Sequence, residues 1–342
     1  MKDMQFPFSS EDNFQLAFSK GLDDLLTADE LGVFILVLAN ASYDREIFSV
    51  MRPVLKRRFE EWADYFESDS VVEAEHAPDD VAVFQALRSL GFEQIQGAQK
   101  RMVGIWQLQY NQMRSFRPRR NADAAFNTNR VDFETNGFNF NKPFLRKEIF
   151  WEGDIQGKQV RLLYNKFPFA DLHGLFVIDP ENEKPQWLNQ DDHNFVWQFL
   201  SDVGGQMPVG MGYSSLGAYA SVNHQHFQSF ISKKKYPVEL SCWEHNGGHL
   251  QYPVACRKLI KADDAWQFID SLQQANVAFN LLYRPDEIYC FSRAFQGSYQ
   301  HADWTPGFAW SETAGGIAVT SLHEYRQLED EDINRELKLL RR

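Results

Sequence analysis

The run Ser221-Val222-Asn223-His224-Gln225-His226-Phe227-Gln228 gathers the side chains of this sequence best suited to chemistry. Nine histidines in 342 residues would produce a His-X-His by chance roughly 0.24 times, and a Gln two positions further on makes the coincidence more than about tenfold rarer. In an extended chain the period of two puts His224, His226 and Gln228 on one face, with Val222 and Phe230. A core rejects three polar groups aimed the same way unless each is hydrogen-bonded, so this face is expected to line a cavity. Three chemistries compete for it. Two His on one strand can ligate a metal, but a third ligand is needed and none lies nearby in sequence. The rings can be hydrogen-bonded core residues. Or a neutral imidazole, its other nitrogen held by a carbonyl, can attack phosphorus.

Elements must position these residues, and the chain is long enough for one large domain or two ordinary ones. Apolar residues recur at spacings of three and four through residues 11–66, which predicts helices, and another is expected over 81–90 after an acidic loop at 68–80. From about Gly104 the texture turns to β. Short strands are expected at 147–153, 159–165 and 175–178, a helix at 190–203 and a strand over 213–231. A second cycle follows: strand 254–260, helix 263–274, strands 279–283, 287–292 and 316–321, then a closing helix over 330–342. The expected architecture is α+β, with two similar antiparallel sheet units (101–235 and 236–342) packed by helices and preceded by a helical accessory region (1–100).

Composition narrows the function. The net charge of −12 would repel phosphate polymers and anionic lipid, so nucleic acid and membrane are not expected as partners. The apolar stretch 31–41 is about half of what a bilayer needs and reads as a buried helix. Acids occupy the N-terminal segment where a secretory signal would be apolar. Cys242, Cys256 and Cys290 are odd in number and widely spaced, which argues against a disulfide framework and points to a reducing cytoplasm. No Cys-x-x-Cys occurs, so no structural zinc is expected, and the chemistry read below calls for no cofactor.

The flanking motifs distinguish among the three chemistries. SVNHQHFQ resembles the active-site strand of the histidine-triad superfamily, in the transferase and phosphorylase branches that end in Gln, and Tyr164-Asn165-Lys166-Phe167-Pro168 through His173-Gly174-Leu175 is similar to the superfamily's Asn-x-x-Pro…Gly-His signature. The order His173-Gly174 inverts that signature, and His173 reads as structural. Phe138-Asn139-Phe140-Asn141-Lys142 with Glu148-Ile149-Phe150, and Gln107-Leu108-Gln109 with Arg114-Ser115-Phe116-Arg117-Pro118, resemble segments of the GDP-hexose phosphorylases; Glu312-Thr313-Ala314-Gly315 resembles their late Glu-x-x-Gly. The galactose-1-phosphate uridylyltransferases carry a similar Arg-x-x-Arg-Pro.

The resemblance implies an HIT-like fold and a nucleotidyl-histidine on His226, with His224 orienting the strand or the phosphate and Gln228 supporting the phosphoryl group. It implies nucleotide contacts for Asn165 and Lys166, while Ser221 and Asn223 are placed to reach phosphate oxygens. Between Lys100 and Lys147 ten lysines and arginines face three acids, a balance of +7 in an acidic chain. Arg114, Arg117, Arg119 and Arg120 carry no acid among them, which suits bidentate phosphate recognition. The expected function is phosphorolysis of a nucleoside diphosphate sugar by inorganic phosphate, with a homodimer as a further expectation. The alternatives are a dinucleoside polyphosphate phosphorylase, a hexose-1-phosphate uridylyltransferase, and a nucleotide-binding protein without catalysis.

Overall fold

The computed structural model describes residues 6–68, 75–117, 125–305 and 307–342. Four helices come first: α1 (Glu11–Leu25), α2 (Leu31–Tyr43), α3 (Arg45–Ser68) and α4 (Pro78–Leu90). The Ser10 hydroxyl caps α1 by accepting the Asn13 N–H at 3.1 Å. α2 is apolar on nearly every side and is buried at every position except Gly32, packed against α1, α3 and α4 as an all-round hydrophobic helix must be. No helix of the described residues is long and apolar enough to cross a membrane.

Two hairpin strands, β1 (Gln99–Val103) and β2 (Trp106–Tyr110), and a single helical turn, α5 (Gln112–Ser115), lead into the main sheet. There follow β3 (Ile149–Ile155), β4 (Lys158–Tyr164), β5 (Gly174–Ile178), α6 (Gln190–Gly204), β6 (Val209–Ser214) and β7 (Phe227–Ile231). The chain continues with β8 (Ala255–Leu259), α7 (Ala262–Gln274), β9 (Ala278–Arg284), β10 (Glu287–Arg293), α8 (Trp310–Thr313), β11 (Gly316–Val319), α9 (Leu322–Gln327) and α10 (Asp330–Leu339). β3 to β10 form one eight-stranded antiparallel sheet, ordered β3-β4-β5-β7-β6-β9-β10-β8, and β11 adds in parallel to β2 in a three-stranded sheet. The α+β architecture expected from the sequence is thus the one observed. The sheet runs without interruption from the 149–231 strands into the 255–293 strands through the β6–β9 pairing.

The two faces of this sheet differ. Val160 and Leu162 of β4, Phe176 of β5, Phe227 of β7, Met211 and Tyr213 of β6 and Leu281 of β9 pack with the N-terminal helices, α6 and α7 in one large core. The opposite face carries two smaller clusters, one around Phe140, Leu145, Leu163 and Val177 and one around Phe230, Leu282, Phe291 and Trp310. Gln228 lies between them, with Leu175 and Gly212 as its cross-strand neighbours.

One expectation is corrected here. The strand read over 213–231 is two strands: β6 ends at Ser214, β7 begins at Phe227, and the two pair antiparallel to each other. Gly217 (φ 74°) and Tyr219 (φ 68°) take left-handed backbone between them, which lets the chain reverse. His224 and His226 therefore close a loop and do not lie within a strand. The β region also starts at Gln99, five residues earlier than its texture suggested.

Candidate active site

His226 sits one residue before the β7 ladder, so its peptide has no strand partner, and the buried side-chain amide of Gln186 substitutes for one. The His226 N–H donates to Gln186 Oε1 at 2.9 Å, and Gln186 Nε2 donates to the His226 carbonyl at 3.2 Å and to that of Ser214 at 2.9 Å. A primary amide matches a peptide group donor for acceptor, which satisfies both buried backbone atoms. The ring is held as firmly. Its Nδ1 lies 2.8 Å from the His224 carbonyl, and since a carbonyl only accepts, the proton is on Nδ1 and Nε2 keeps its lone pair. Nε2 makes no hydrogen bond among the described residues. Burial pushes the ring's pKa down to about 4, against the pull of that carbonyl, so His226 is neutral at pH 7.

His224 holds the opposite tautomer. Its Nδ1 accepts the Phe140 N–H at 3.1 Å, so its proton is on Nε2, which then has no lone pair to offer. Both histidines touch the Phe140 ring, at centroid distances of 5.4 and 5.1 Å. The Phe138–Lys142 motif is what holds that ring in place. Asn139 Oδ1 accepts the Asn141 N–H at 3.0 Å, Asn141 Nδ2 donates to Pro180 O at 2.9 Å, and the buried Arg161 donates to Asn141 Oδ1 at 3.0 Å. Burial, then the adjacent His226 and Arg161, lower His224 to about 4.

Gln228 is oriented by two donors. Trp310 Nε1, which can only donate, reaches Gln228 Oε1 at 2.9 Å. His173 Nδ1 accepts the Phe169 N–H at 3.3 Å, so its Nε2 carries the proton and donates to the same oxygen at 3.2 Å. The carboxamide nitrogen of Gln228 is thereby turned away, as a donor. Trp310 reaches the sheet only because residue 212 is Gly, where an added Cβ would lie 2.0 Å from the indole. Burial, reinforced by Arg114, drives His173 down to about 3, keeping it neutral and in this tautomer.

Arg114 stands next to this group. Its Nη1 donates to Phe167 O at 2.9 Å and its guanidinium covers the Phe169 ring at 4.5 Å. Burial and then Arg117 bring its pKa down to about 10, which leaves it charged at pH 7. Burial raises the carboxyl of Glu312, with Arg114 opposing. Glu312 Oε2 accepts the Ala309 N–H at 3.0 Å, and no ion pair joins it to Arg114 or Arg117 among the described residues. Arg117 is exposed. Arg119 and Arg120 lie outside the described residues.

The other expected site residues are placed differently. Asn223 spends its amide on structure: Oδ1 accepts the Gln186 N–H at 2.9 Å and Nδ2 donates to the carbonyls of Val131 and Asp132. Lys166 pairs with Asp80 of α4 at 2.5 Å, at the junction with the helical region. Asn165 Oδ1 accepts the Phe167 N–H at 3.1 Å in a local turn, and its Nδ2 makes no bond among the described residues. Ser221 is exposed on the loop. The structure thus gathers His226, His224, Gln228 and Arg114, and adds three residues that sequence reasoning left out of the site: Gln186, Trp310 and His173. For His173 the inverted His-Gly is the only sequence signal, and by itself it points to a structural role. A lone Gln in a Pro-flanked loop and a Trp 82 positions from its partner carry none. Among the described residues no cluster of three or more His, Cys, Asp or Glu is arranged to hold a metal.

Residues 99–230 match the family described as GDPGP1-like, N-terminal domain. The matched segment carries the Arg114 helix, the Phe138–Lys142 loop, His173 and the His224–Gln228 run, so the resemblance read from the motifs holds over it. The chain is 30% identical to GDP-D-glucose phosphorylase 1 of Danio rerio over 114 residues, covering 33% of this chain and 32% of that protein. It therefore aligns with about a third of the length of the curated relative that it matches. Among solved structures it is similar to yeast Ap4A phosphorylase Apa2 in complex with Ap4A (TM-score 0.49, 16% identity, 71% of this chain and 88% of that one). It is similar as well to Apa2 without ligand (TM-score 0.49, 16% identity, 77% and 93%).

Proposed function

We propose that this chain is a nucleotidyl-transferring phosphorylase that converts a GDP-hexose and inorganic phosphate to GDP and a hexose 1-phosphate through a nucleotidyl-histidine on His226. The observation that carries this reading is the contrast between the two rings: His224 accepts a peptide N–H on Nδ1 and so carries its proton on Nε2, while His226 has its proton fixed on Nδ1 and a free lone pair on Nε2. Nε2 attacks the α-phosphorus, the bond to the bridging oxygen breaks, and hexose 1-phosphate leaves. That leaving group is a phosphate monoester with a pKa of about 6, so it departs without a general acid. Inorganic phosphate, already anionic, then attacks the same phosphorus, the P–N bond breaks, and GDP leaves with neutral His226 restored. No proton is transferred to an enzyme base in either half.

Gln228 fits this scheme because a carboxamide cannot deliver a proton. With its oxygen held by Trp310 and His173, its N–H groups are free to donate to a non-bridging oxygen as charge develops there. Arg114, charged beside Gln228 and His173, supports this reading as a countercharge for the diphosphate. The GDP-glucose preference is taken from the Danio rerio relative, and the three free cysteines suit a reducing cytoplasm. The test is direct. GDP-glucose without phosphate should leave a guanylylated protein, labile in acid as a phosphoramidate is, and phosphate should release GDP from it. An adduct that survives in His226→Ala, or turnover with no label passing through the protein, would refute the double displacement.

A further inference from the structure

A cavity of about 350 Å³ opens behind Phe169. Its lining includes neither His226, Gln228 nor Arg114, and the stacked pair Phe230–Trp310 (5.2 Å, 13°) walls it from them together with Phe169. Gln107 and Gln109, singled out in the sequence, both border it. Its floor is fixed in advance: the Tyr43 hydroxyl donates to Gln109 Oε1 at 2.8 Å, and Gln109 Nε2 donates to the Phe169 carbonyl at 2.8 Å. Since the Phe169 N–H supports His173, one chain of hydrogen bonds runs from this floor to Gln228.

We infer that this cavity binds a hexose phosphate, the sugar product of the proposed reaction, at a site separate from the nucleotide. The choice of sugar rests on the reading above; the site itself rests on what lines it. The volume is at the small end of ligand sites, about 300–1,000 Å³, and admits a monosaccharide phosphate or a mononucleotide. A base needs ring faces to stack on, and the lining rings are committed: Phe169 lies under Arg114, and Tyr236 meets Phe230 and Trp310 edge to face with Arg284 near its ring. Trp310 stacks against Phe230, Arg284 covers the Phe230 ring at 4.9 Å, and Lys100 covers Tyr43 at 4.7 Å. What remains is ring edges for pyranose C–H groups and polar groups for its hydroxyls. The Lys100–Asp171 ion pair presents a donor and an acceptor side by side, and the Gln107 amide, anchored through its Nε2 to the Lys235 carbonyl, presents its oxygen. At the mouth the exposed ammonium of Lys234 has no ion pair among the described residues, which suits a phosphate dianion.

Glucose 1-phosphate is the probe, titrated calorimetrically into the full chain and into His226→Ala saturated with GDP-glucose. One saturable site is expected in both. Lys234→Glu should weaken it at least tenfold, as should Met102→Trp, which puts an indole at the mouth, while glucose and inorganic phosphate alone bind more weakly. No saturable binding, binding untouched by both substitutions, complete displacement by GDP-glucose, or tighter binding of GMP in the same Lys234-dependent manner would each overturn the inference. Lys234-dependent binding in a chain that never turns over GDP-glucose would refute the phosphorylase reading and keep this site. Turnover without such binding would do the reverse.

Discussion

The two faces of the eight-stranded sheet are built from the same strands by opposite means. Towards the helices, β4, β5, β7 and β6 contribute Leu162, Phe176, Phe227 and Tyr213 to a core that also takes in α2. That face is held by removal of apolar area from water, an effect without direction and tolerant of exchange among side chains of similar volume. Towards the site, the chain contributes His226, Gln228 and His173, and the groups that orient them are specific partners: Gln186 for the His226 peptide, Trp310 and His173 for Gln228, Phe140 for His224. Such contacts are directional, and removing one partner strands the other. His226 Nε2 and the buried Gln225 amide have no hydrogen-bond partner among the described residues. With the proposed function, stability and chemistry fall on opposite faces, so substitutions on one should leave the other's readout largely alone.

The sharpest break should come at the proposed nucleophile. His226→Ala is expected to lower turnover by a factor of roughly 10⁴ or more, as loss of a covalent nucleophile does, while the chain stays folded. His224→Ala should slow adduct formation yet still give some. Circular dichroism beside adduct mass would check both, and a fully active His226→Ala would end the division of labour proposed here. The opposite face supplies the converse. Phe176→Ala empties a fully buried ring site and should cost about 3–5 kcal/mol of unfolding free energy, with kcat near wild type for the molecules that remain folded. A large fall in kcat with unchanged stability would contradict the division.

Arg114→Ala should weaken nucleotide binding by about 1.5–3 kcal/mol, the scale of hydrogen bonds to a charged group, seen chiefly in KM or in direct titration. Binding within error of wild type would remove Arg114 from the site. Acid gives a smaller effect per group, and its sign is fixed. His173, His193, His224 and His226 have folded values of about 3 to 4 against an ordinary 6.5, so the unfolded chain binds protons that the folded chain refuses. Stability from these groups is complete above pH 6.5 and falls as pH drops towards 4, by up to about 1.4 kcal/mol per pH unit for each. Three of the four stand at the site; His193, bonded to the Tyr283 hydroxyl and the Ala262 carbonyl, lies on the helical side. Denaturant unfolding that is flat between pH 6.5 and 4 would show that the rings are not buried neutral. The smallest effect belongs to Trp310→Phe, which removes one bond to Gln228 and keeps the stack on Phe230. A fall in kcat of roughly threefold to tenfold is expected, the worth of one neutral hydrogen bond, with adduct still forming on His226.

Much of this was legible in the residues alone, because periodicity and local chemistry are short-range properties. The all-round apolar run at 31–41 demanded a buried helix and became α2. The alternating segments before and after residue 200 became β3 to β5 and β8 to β10, since the period of two follows from strand geometry whatever the neighbours. His226 and Gln228 stood out because two imidazoles and an amide at that spacing have no ordinary place in a core. Tertiary structure decided what spacing cannot encode. Which histidine keeps a lone pair on Nε2 depends on Phe140, 84 residues from His224. Which way Gln228 points depends on Trp310 and on Gly212 making room for it. That Lys166 and Asn223 turn to ion pairing and loop anchoring depends on Asp80 and Gln186, which reach them only after the helical region and the 179–189 loop have packed. Hydrogen bonds are short and directional, so their partners are chosen by the folded geometry and not by distance along the chain.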